Sequence, residues 1–219
     1  MNASFPGKSE VTFQNLKLDG TVVRQWRAQE LNLKVRVVCG DCNSGWMSLM
    51  ERDFAIPAMT DLILGNRIGT LSRKRARGLS LFAFKTAVIA NRSLPESEWF
   101  FTVSERFAFR KSLAIPSDVK MFLVGIEDFK GGRVGSHNVS FPDRNLSLNV
   151  CSFSVGQLGF QVISAKAINP QKVESLPTSP DLTSVFYPDL DRTSWPRKHV
   201  LGVQAFNDFA NRWNSLKWH

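Results

Sequence analysis

The chain has 219 residues, which is enough for one large domain or for a small module joined to a larger one, and we favour the second arrangement. A composition of 43% hydrophobic and 21% charged residues is typical of a globular protein and excludes disorder over most of the length. The 28 Lys and Arg residues outnumber the 19 Asp and Glu residues, and the resulting net charge of +9 favours a polyanionic partner.

The first part of the chain is predicted to form a β-hairpin and a further strand. Residues 11–18 alternate between apolar and polar side chains, Asp19-Gly20 is a tight-turn signal, and residues 21–26 return to an extended pattern. Residues 34–38 are rich in valine and are predicted as a strand that leads into Cys39. A hairpin, a strand and a pair of cysteines therefore follow one another closely.

Four helices are predicted between the cysteines and the second half of the chain. Apolar residues at helical spacing between Trp46 and Phe54 indicate the first helix, with a cap at Asn43 or Ser44. Residues 56–64 are predicted as a short helix introduced by a proline and stopped by a glycine. The two longer helices are predicted over residues 72–91, with a serine cap at the first position, and over residues 104–113.

Strands dominate the pattern after residue 118. Four segments alternate in the β manner between Gly, Asn, Asp and Pro residues, which predicts an antiparallel meander. A final helix over residues 202–216 carries one apolar stripe and should pack on this sheet. We therefore predict an α+β fold, with a small module over residues 1–55 and an α+β domain over residues 56–219. The four predicted strands are residues 119–126, 134–141, 146–154 and 158–168.

Cys39 and Cys42 form a C-x-x-C pair, which is half of a tetrahedral zinc site. The one other cysteine of the chain, Cys151, stands alone. Three alternatives stay open: the two thiols are reduced and packed, two copies of the chain share one zinc ion, or folding brings His137, His199 or Cys151 to the pair. The pair is therefore a candidate metal site whose remaining ligands are unassigned.

The residues around this pair resemble a known family. The string from Val38 to Glu51, VCGDCNSGWMSLME, is similar to the second half of a treble-clef HNH endonuclease module. Within that family it resembles a group of bacterial and phage proteins with the signature C-x-x-C-N-x-G-W-M-S. The resemblance implies a partial ββα treble clef in residues 1–55. Further similarity occurs at Leu71-Ser72, Lys85-Thr86-Ala87, Tyr187-Pro188 and Trp195-Pro196.

The resemblance implies that Cys39 and Cys42 bind a structural Zn²⁺ and that Asn43 occupies the position of a ligand to a catalytic divalent ion such as Mg²⁺. In that family an upstream C-x-x-C pair completes the zinc site, and an upstream His acts as general base on the attacking water. In this chain no cysteine precedes Val38 and no histidine precedes His137. Three explanations stay open: a degenerate relative, a start assigned too late, or a partner chain that supplies the rest.

The longest predicted helix is strongly basic, and no Asp or Glu occurs between Leu62 and Pro95. At 100° per residue, four of its cations fall within about 60° along roughly 27 Å, a length that could follow several phosphates. Cations beside a helix N-terminus are unfavourable by about 0.3–1 kcal/mol each, a cost that is easier to explain if an anion binds there. The alternative is a solvated side of a core helix with snorkelling stems. The predicted nucleic-acid contacts are Arg73, Lys74, Arg75, Arg77, Lys85 and Arg92.

Neither an export signal nor a membrane span is indicated. Residues 1–8 contain no apolar run of signal-peptide length, and the most apolar stretch, residues 79–90, is too short to cross a bilayer. Three cysteines in an unsecreted chain do not form a disulfide framework, which favours a cytoplasmic location.

The pattern as a whole predicts a protein that binds DNA or RNA and resembles an HNH endonuclease, in a phage or defence context, with part of the catalytic module missing. If it cuts nucleic acid, it should require Mg²⁺ or another divalent ion and a general base from elsewhere. The alternative is a non-catalytic interaction or inhibitor protein, because a basic surface also suits an acidic protein partner.

Overall fold

The computed structural model describes residues 11–16, 22–28, 37–63, 69–127, 132–167, 184–187, 194–195 and 200–212. Within these ranges the chain forms a mixed β-sheet with packed helices, so the predicted α+β class is confirmed. In the same ranges, no helix combines the length and the apolar character that crossing a membrane requires.

Strands β1 (Val11–Leu16) and β2 (Val22–Ala28) pair antiparallel, which confirms the predicted hairpin. The strand predicted at residues 34–38 is not formed at its described end, because Val37 and Val38 lie in a turn; residues 34–36 lie outside the described ranges. β-Branched residues favour a strand where a neighbouring strand pairs with them, and none of the described strands pairs with these two.

One helical segment, α1 (residues 40–63), follows the cysteines. Its α-helical turns alternate with π-helical turns, and Gly45 departs from helical geometry with φ −88° and ψ −114°. The segment therefore consists of a short first part, a kink at Gly45 and a longer second part. Its α-helical turns are Gly40–Cys42, Ser48–Met50 and Ile56–Ile63, and its π-helical turns are Asn43–Met47 and Glu51–Ala55.

The short helix predicted at residues 56–64 is present as the last part of α1, but it is continuous with the preceding turns. The backbone N–H of Ile56 bonds to the carbonyl of Glu51, five residues back, and such a wide turn accommodates the missing N–H and the bulky ring of Pro57. The proposed domain boundary at residue 55 stays a prediction, and α1 runs through that position without interruption.

Helix α2 (Arg73–Arg92) lies close to its predicted limits. The Ser72 hydroxyl accepts a hydrogen bond from the backbone N–H of Arg75 at 3.3 Å, which confirms the predicted cap. Gly78 faces α1 so closely that a Cβ atom there would lie 2.3 Å from the carbonyl oxygen of Phe54. The absence of a side chain at this position therefore allows the backbones of the two helices to come into contact.

A single 3₁₀ turn, Glu96–Glu98, connects α2 to helix α3 (Val103–Ser112), which begins and ends within one residue of its prediction. The side chains of Thr102 and Glu105 form a capping box at the start of α3, each bonding to the backbone of the other. Two local signals therefore fix where this helix begins.

Three aromatic rings join the helices. The ring of Phe109 on α3 packs edge-on against Phe84 of α2, with 4.8 Å between centroids, and against Trp46 of α1, with 5.8 Å. Edge-to-face contacts of this kind add to the area that the rings bury. The three helices thus form one packed layer, and the candidate site described below lies between them.

The main sheet contains four long antiparallel strands. The described strands that follow α1 are β3 (Gly69–Thr70), β4 (Val119–Ile126), β5 (Gly132–Phe141), β6 (Leu146–Val155), β7 (Leu158–Ala167), β8 (Ser184–Tyr187), β9 (Ser194–Trp195) and β10 (Val200–Leu201). The order of the four long strands is β4–β7–β6–β5, and two short strands, β8 and β10, both pair with β4. The predicted hairpins β5–β6 and β6–β7 are confirmed, but the simple meander is wrong for β4, which pairs with β7. Alternation in sequence shows which residues share a face and not which strands are neighbours.

Helix α4 (Val203–Asn211) packs on one face of the sheet, as predicted. Its Phe206 and Phe209 join a core with Phe122 of β4, whereas the next residue of that strand, Leu123, joins the core of α1, α2 and α3. The last residues of the predicted helix, 213–216, lie outside the described ranges. The sheet therefore separates two apolar cores, one on each face.

Candidate functional site

Cys39 and Cys42 open α1 in a turn that brings their side chains together. The backbone N–H of Cys42 donates to Cys39 Sγ at 3.3 Å, and the N–H of Asn43 donates to the carbonyl of Cys39 at 3.0 Å. A hydrogen bond from the Cys42 thiol lowers the pKa of Cys39 and raises the pKa of Cys42. Cys39 is exposed and Cys42 is half-buried. The turn, which we call the knuckle (residues 39–43), therefore favours a thiolate at Cys39, the form that binds metals.

The knuckle fits half of a structural zinc site. Zn²⁺ favours thiolates, and a closed structural site has four ligands that fix the surrounding chain. Cys39 and Cys42 would bind the ion, and the bound ion would fix the conformation of the knuckle. Across the described ranges, no three His, Cys, Asp or Glu side chains form a group that could hold a metal ion. The zinc site stays a prediction.

The other candidate zinc ligands lie in the sheet or outside the described ranges. Cys151 is completely buried in β6, and burial raises its pKa to about 12, so it stays a neutral thiol. His137 lies in β5, where burial lowers its pKa. Within the ranges that the structure describes, neither residue groups with Cys39 and Cys42. His199 lies outside those ranges.

Asn43, predicted as a ligand of the catalytic ion, is exposed in the first turns of α1. Mg²⁺ requires near-octahedral oxygen ligation, which proteins usually supply with carboxylates, waters and substrate phosphates. No group of three acidic, His or Cys side chains that could hold a metal ion occurs among the described residues. The role of Asn43 as a ligand stays a prediction.

A pocket of about 240 Å³ opens between α1, α2 and α3, and Cys39 and Cys42 of the knuckle form part of its lining. We call it the three-helix pocket. Most of its lining is apolar, and four basic side chains also border it. Cations around an apolar cavity suit a ligand that carries both negative charge and apolar surface. The basic lining residues are Lys85, Arg92, Arg106 and Arg110, and the apolar ones include Trp46, Met47, Ile89 and Phe107.

The guanidinium of Arg92 lies over the indole ring of Trp99, with Cζ 3.0 Å from a ring centroid. Its Nε and Nη1 atoms are buried and have no hydrogen-bond partner among the described residues. Burial and then the positive charge of Arg106 lower the pKa of Arg92, and Glu96 acts in the opposite direction. A partly desolvated cation beside a second cation is the electrostatic setting in which a bound anion is most favourable.

Lys85 contributes little net charge to the pocket. Its Nζ donates to the carboxylate of Glu51 and lies 4.9 Å from the ring centroid of Phe82. The side chain of Lys85 is only 10% exposed, and that of Glu51 is 37% exposed. The ion pair therefore neutralises Lys85 within the fold, and the three arginines carry the positive charge of the pocket.

The remaining predicted nucleic-acid contacts lie in the first turns of α2, away from the pocket. Arg75 forms an ion pair with Asp61 at 2.7 Å, and Arg77 Nη2 donates to the carbonyl of the residue that caps the C-terminus of α3 at 3.2 Å. Arg73 and Lys74 are exposed. Of the six predicted residues, the structure thus brings two to the pocket and leaves four elsewhere on the helix. Their assignment to nucleic-acid binding stays a prediction.

The pocket residues of α3 are absent from the site residues that the sequence predicts. Arg106, Phe107 and Arg110 meet α2 only because the turn at residues 96–98 folds α3 back beside it. A local signal was present, since Arg106 and Arg110 are four residues apart and share one side of the helix. Phe107 is 60% exposed, and exposed apolar side chains at the edge of a pocket are a feature of binding surfaces.

Comparisons with known proteins assign neither a family nor a function to the chain. No protein-family model, curated protein or solved structure matches the chain. The resemblance to HNH endonucleases therefore stays a prediction from the sequence around the knuckle.

Proposed function

We propose that this chain is a nucleic-acid-associated protein, similar to HNH endonucleases, that binds a phosphate-bearing strand at the three-helix pocket. The observation that carries the proposal is the convergence of Arg92, Arg106 and Arg110 beside the knuckle. Arginine suits this role because its planar guanidinium offers paired donors to phosphate oxygens. The net charge of +9 adds a long-range attraction to any polyanion.

The geometry of the pocket supports binding. Catalysis of the HNH type would also need a general base and a divalent ion at Asn43, and both stay predictions. The phage or defence context and the cytoplasmic location stay predictions. A binding protein of this kind could act alone or position a catalytic partner.

Neutralising two pocket arginines should weaken nucleic-acid binding in a salt-dependent way. Each lost phosphate contact lowers the slope of log K against log salt by about 0.7–0.9. For Arg106→Gln/Arg110→Gln we therefore expect a slope smaller by about 1.5 and about tenfold weaker binding of single-stranded DNA or RNA near physiological salt. Fluorescence anisotropy titrations over a series of salt concentrations measure both quantities.

The control is Arg52→Gln/Lys111→Gln, which removes the same formal charge from two exposed residues that do not line the pocket, although Arg52 is paired with Asp53 at 2.7 Å. It should change the affinity and the slope much less. Equal weakening by the two double variants would contradict a specific role of the pocket. Failure of the wild-type protein to bind either nucleic acid at low salt would contradict the proposed function.

The knuckle should bind zinc through Cys39 and Cys42. If other residues of the same chain complete the zinc site, each chain binds one ion. If two copies of the chain share one site, the protein is a dimer and binds one ion per two chains. Elemental analysis together with light scattering after size-exclusion chromatography distinguishes the two arrangements. We expect Cys39→Ser and Cys42→Ser to lose the metal and Cys151→Ala to keep it. Equal zinc content in all three variants would remove the knuckle as the site.

A protein-binding role is the second candidate, and exposed apolar residues on α1 favour it. Leu49, Phe54 and Ile56 are 49%, 38% and 59% exposed. Apolar side chains exposed on one segment are a feature of surfaces that bind other proteins. If this role is correct, Phe54→Ser should abolish binding of a protein partner without changing the salt slope for nucleic acid.

A further inference from the structure

The three-helix pocket combines two kinds of surface. Inorganic phosphate would leave its apolar wall without contacts, and a purely apolar ligand would leave the guanidinium groups without a counter-charge. An occupant that satisfies both has a planar apolar part joined to an anionic group. The residues that carry this argument are Trp46, Ile89 and Phe107 on the apolar side and Arg92, Arg106 and Arg110 on the basic side.

The volume of the pocket limits the size of its occupant. At about 240 Å³ it lies below the roughly 300–1,000 Å³ typical of pockets that enclose a whole drug-sized ligand. A single aromatic base with its phosphate at the rim fits this scale, whereas a dinucleotide or a peptide helix does not.

We propose that the three-helix pocket receives one unpaired nucleotide, with its base against Phe107 and its phosphate at Arg92 and Arg106. This inference rests on the proposed function and adds that the pocket recognises a base as well as a phosphate. Phe107 is 60% exposed although it lines the pocket, so its ring is accessible for stacking on a base.

Arg92 is prepared for a phosphate before the ligand arrives. Its contact with the Trp99 ring restricts the position of the guanidinium, and Arg106 lies close enough to repel it. A phosphate between the two arginines would reduce this repulsion and would form charge-assisted hydrogen bonds. The pocket therefore gains more from an anionic ligand than an exposed pair of arginines would.

A pocket that receives one base restricts the form of nucleic acid that binds. A base inside a duplex is stacked and paired, and removing it from the helix requires additional free energy. A strand with free bases avoids this cost and can place one base in the pocket. We therefore expect the protein to favour single strands, loops or ends over a continuous duplex.

Strands that keep their phosphates but lack bases test the proposal directly. We expect a short oligothymidine to bind at least about tenfold more tightly than a strand of the same length made of abasic units, as measured by anisotropy at fixed salt. Equal affinity would overturn base recognition while leaving phosphate binding intact. If neither strand bound, the proposed function itself would fail.

A variant pair on α3 locates the base. Phe107 and Val103 are each 60% exposed, and only Phe107 lines the pocket. Phe107→Ala should weaken oligothymidine binding about tenfold and leave the abasic strand almost unaffected, while Val103→Ala should change neither. Equal losses in the two variants, or an equal loss for both strands, would overturn the proposed position of the base.

Competition experiments separate a free nucleotide from a strand. Thymidine monophosphate should displace oligothymidine from the protein, and inorganic phosphate at the same concentration should displace much less. Equal displacement by the two would overturn base recognition. Binding of thymidine monophosphate without any binding of the strand would keep the ligand class and overturn the proposed function.

Discussion

Replacing Gly78 by alanine should lower the free energy of unfolding by about 3 kcal/mol, although alanine is the better helix former. The helix-propensity difference alone would stabilise α2 by about 1 kcal/mol. A Cβ atom at Gly78, however, would lie 2.3 Å from the carbonyl oxygen of Phe54 and 3.2 Å from the Cβ of Ala58. The nearest contact is backbone, so α1 and α2 would have to move apart. Urea unfolding followed by circular dichroism measures the change.

Gly135→Ala is the control for this substitution. Nothing lies within 4 Å of a Cβ atom at Gly135 in β5, so the free energy of unfolding of this variant should stay within about 0.5 kcal/mol of wild type. A Gly78→Ala protein as stable as wild type would show that the two helices do not approach as described. Because the three-helix pocket lies between these helices, the same variant should also bind nucleic acid more weakly.

Asn91→Ala should destabilise the protein by a similar amount, about 3 kcal/mol, because it leaves buried backbone groups without partners. Asn91 is completely buried. Its Oδ1 accepts from the N–H of Phe100 at 2.8 Å and of Phe101 at 3.4 Å, and its Nδ2 donates to the carbonyl of Glu98 at 3.3 Å. One side chain thus fixes the turn that connects α2 to α3.

The turn fixed by Asn91 also carries Trp99, on which Arg92 lies. Asn91→Ala should therefore reduce nucleic-acid affinity in addition to stability, under conditions where the variant is still folded. Ser93→Ala, two residues away and exposed, is the control; it removes one hydrogen bond, from Ser93 Oγ to the carbonyl of Ala90 at 2.6 Å, and should cost only about 1 kcal/mol. Urea unfolding and a strand titration on the same samples test both effects. Unchanged stability of Asn91→Ala would contradict the described network.

The helices were predictable where their signals are local. Ser72 caps α2 because its hydroxyl reaches the N–H of Arg75, three residues ahead, and α3 begins at a capping box formed by Thr102 and Glu105. These contacts lie within a few residues, so the sequence pattern contains all of their partners. The hairpins β5–β6 and β6–β7 were predictable for the same reason, since short turns join their strands.

The neighbours of β4 and the pocket depend on contacts between distant parts of the chain. Alternation in β4 is the same whether it pairs with β5 or with β7, so the pattern could not select the observed order. Lys85 is among the predicted nucleic-acid contacts of α2, and helical spacing cannot show that Glu51, 34 positions earlier, neutralises it. The basic character of α2 was visible, but the three-helix pocket also needs Arg106 and Arg110 from α3.

The position of β4 between two cores makes the unfolding of the molecule cooperative. Met121 and Leu123 belong to the core of α1, α2 and α3, whereas Phe122 and Val124 belong to the core of α4. A shift of the strand by one residue would exchange these sets and place every large side chain on the wrong face. Neither core can therefore lose the register of β4 while the other keeps it, and the helical layer that forms the pocket should melt together with α4 in one transition.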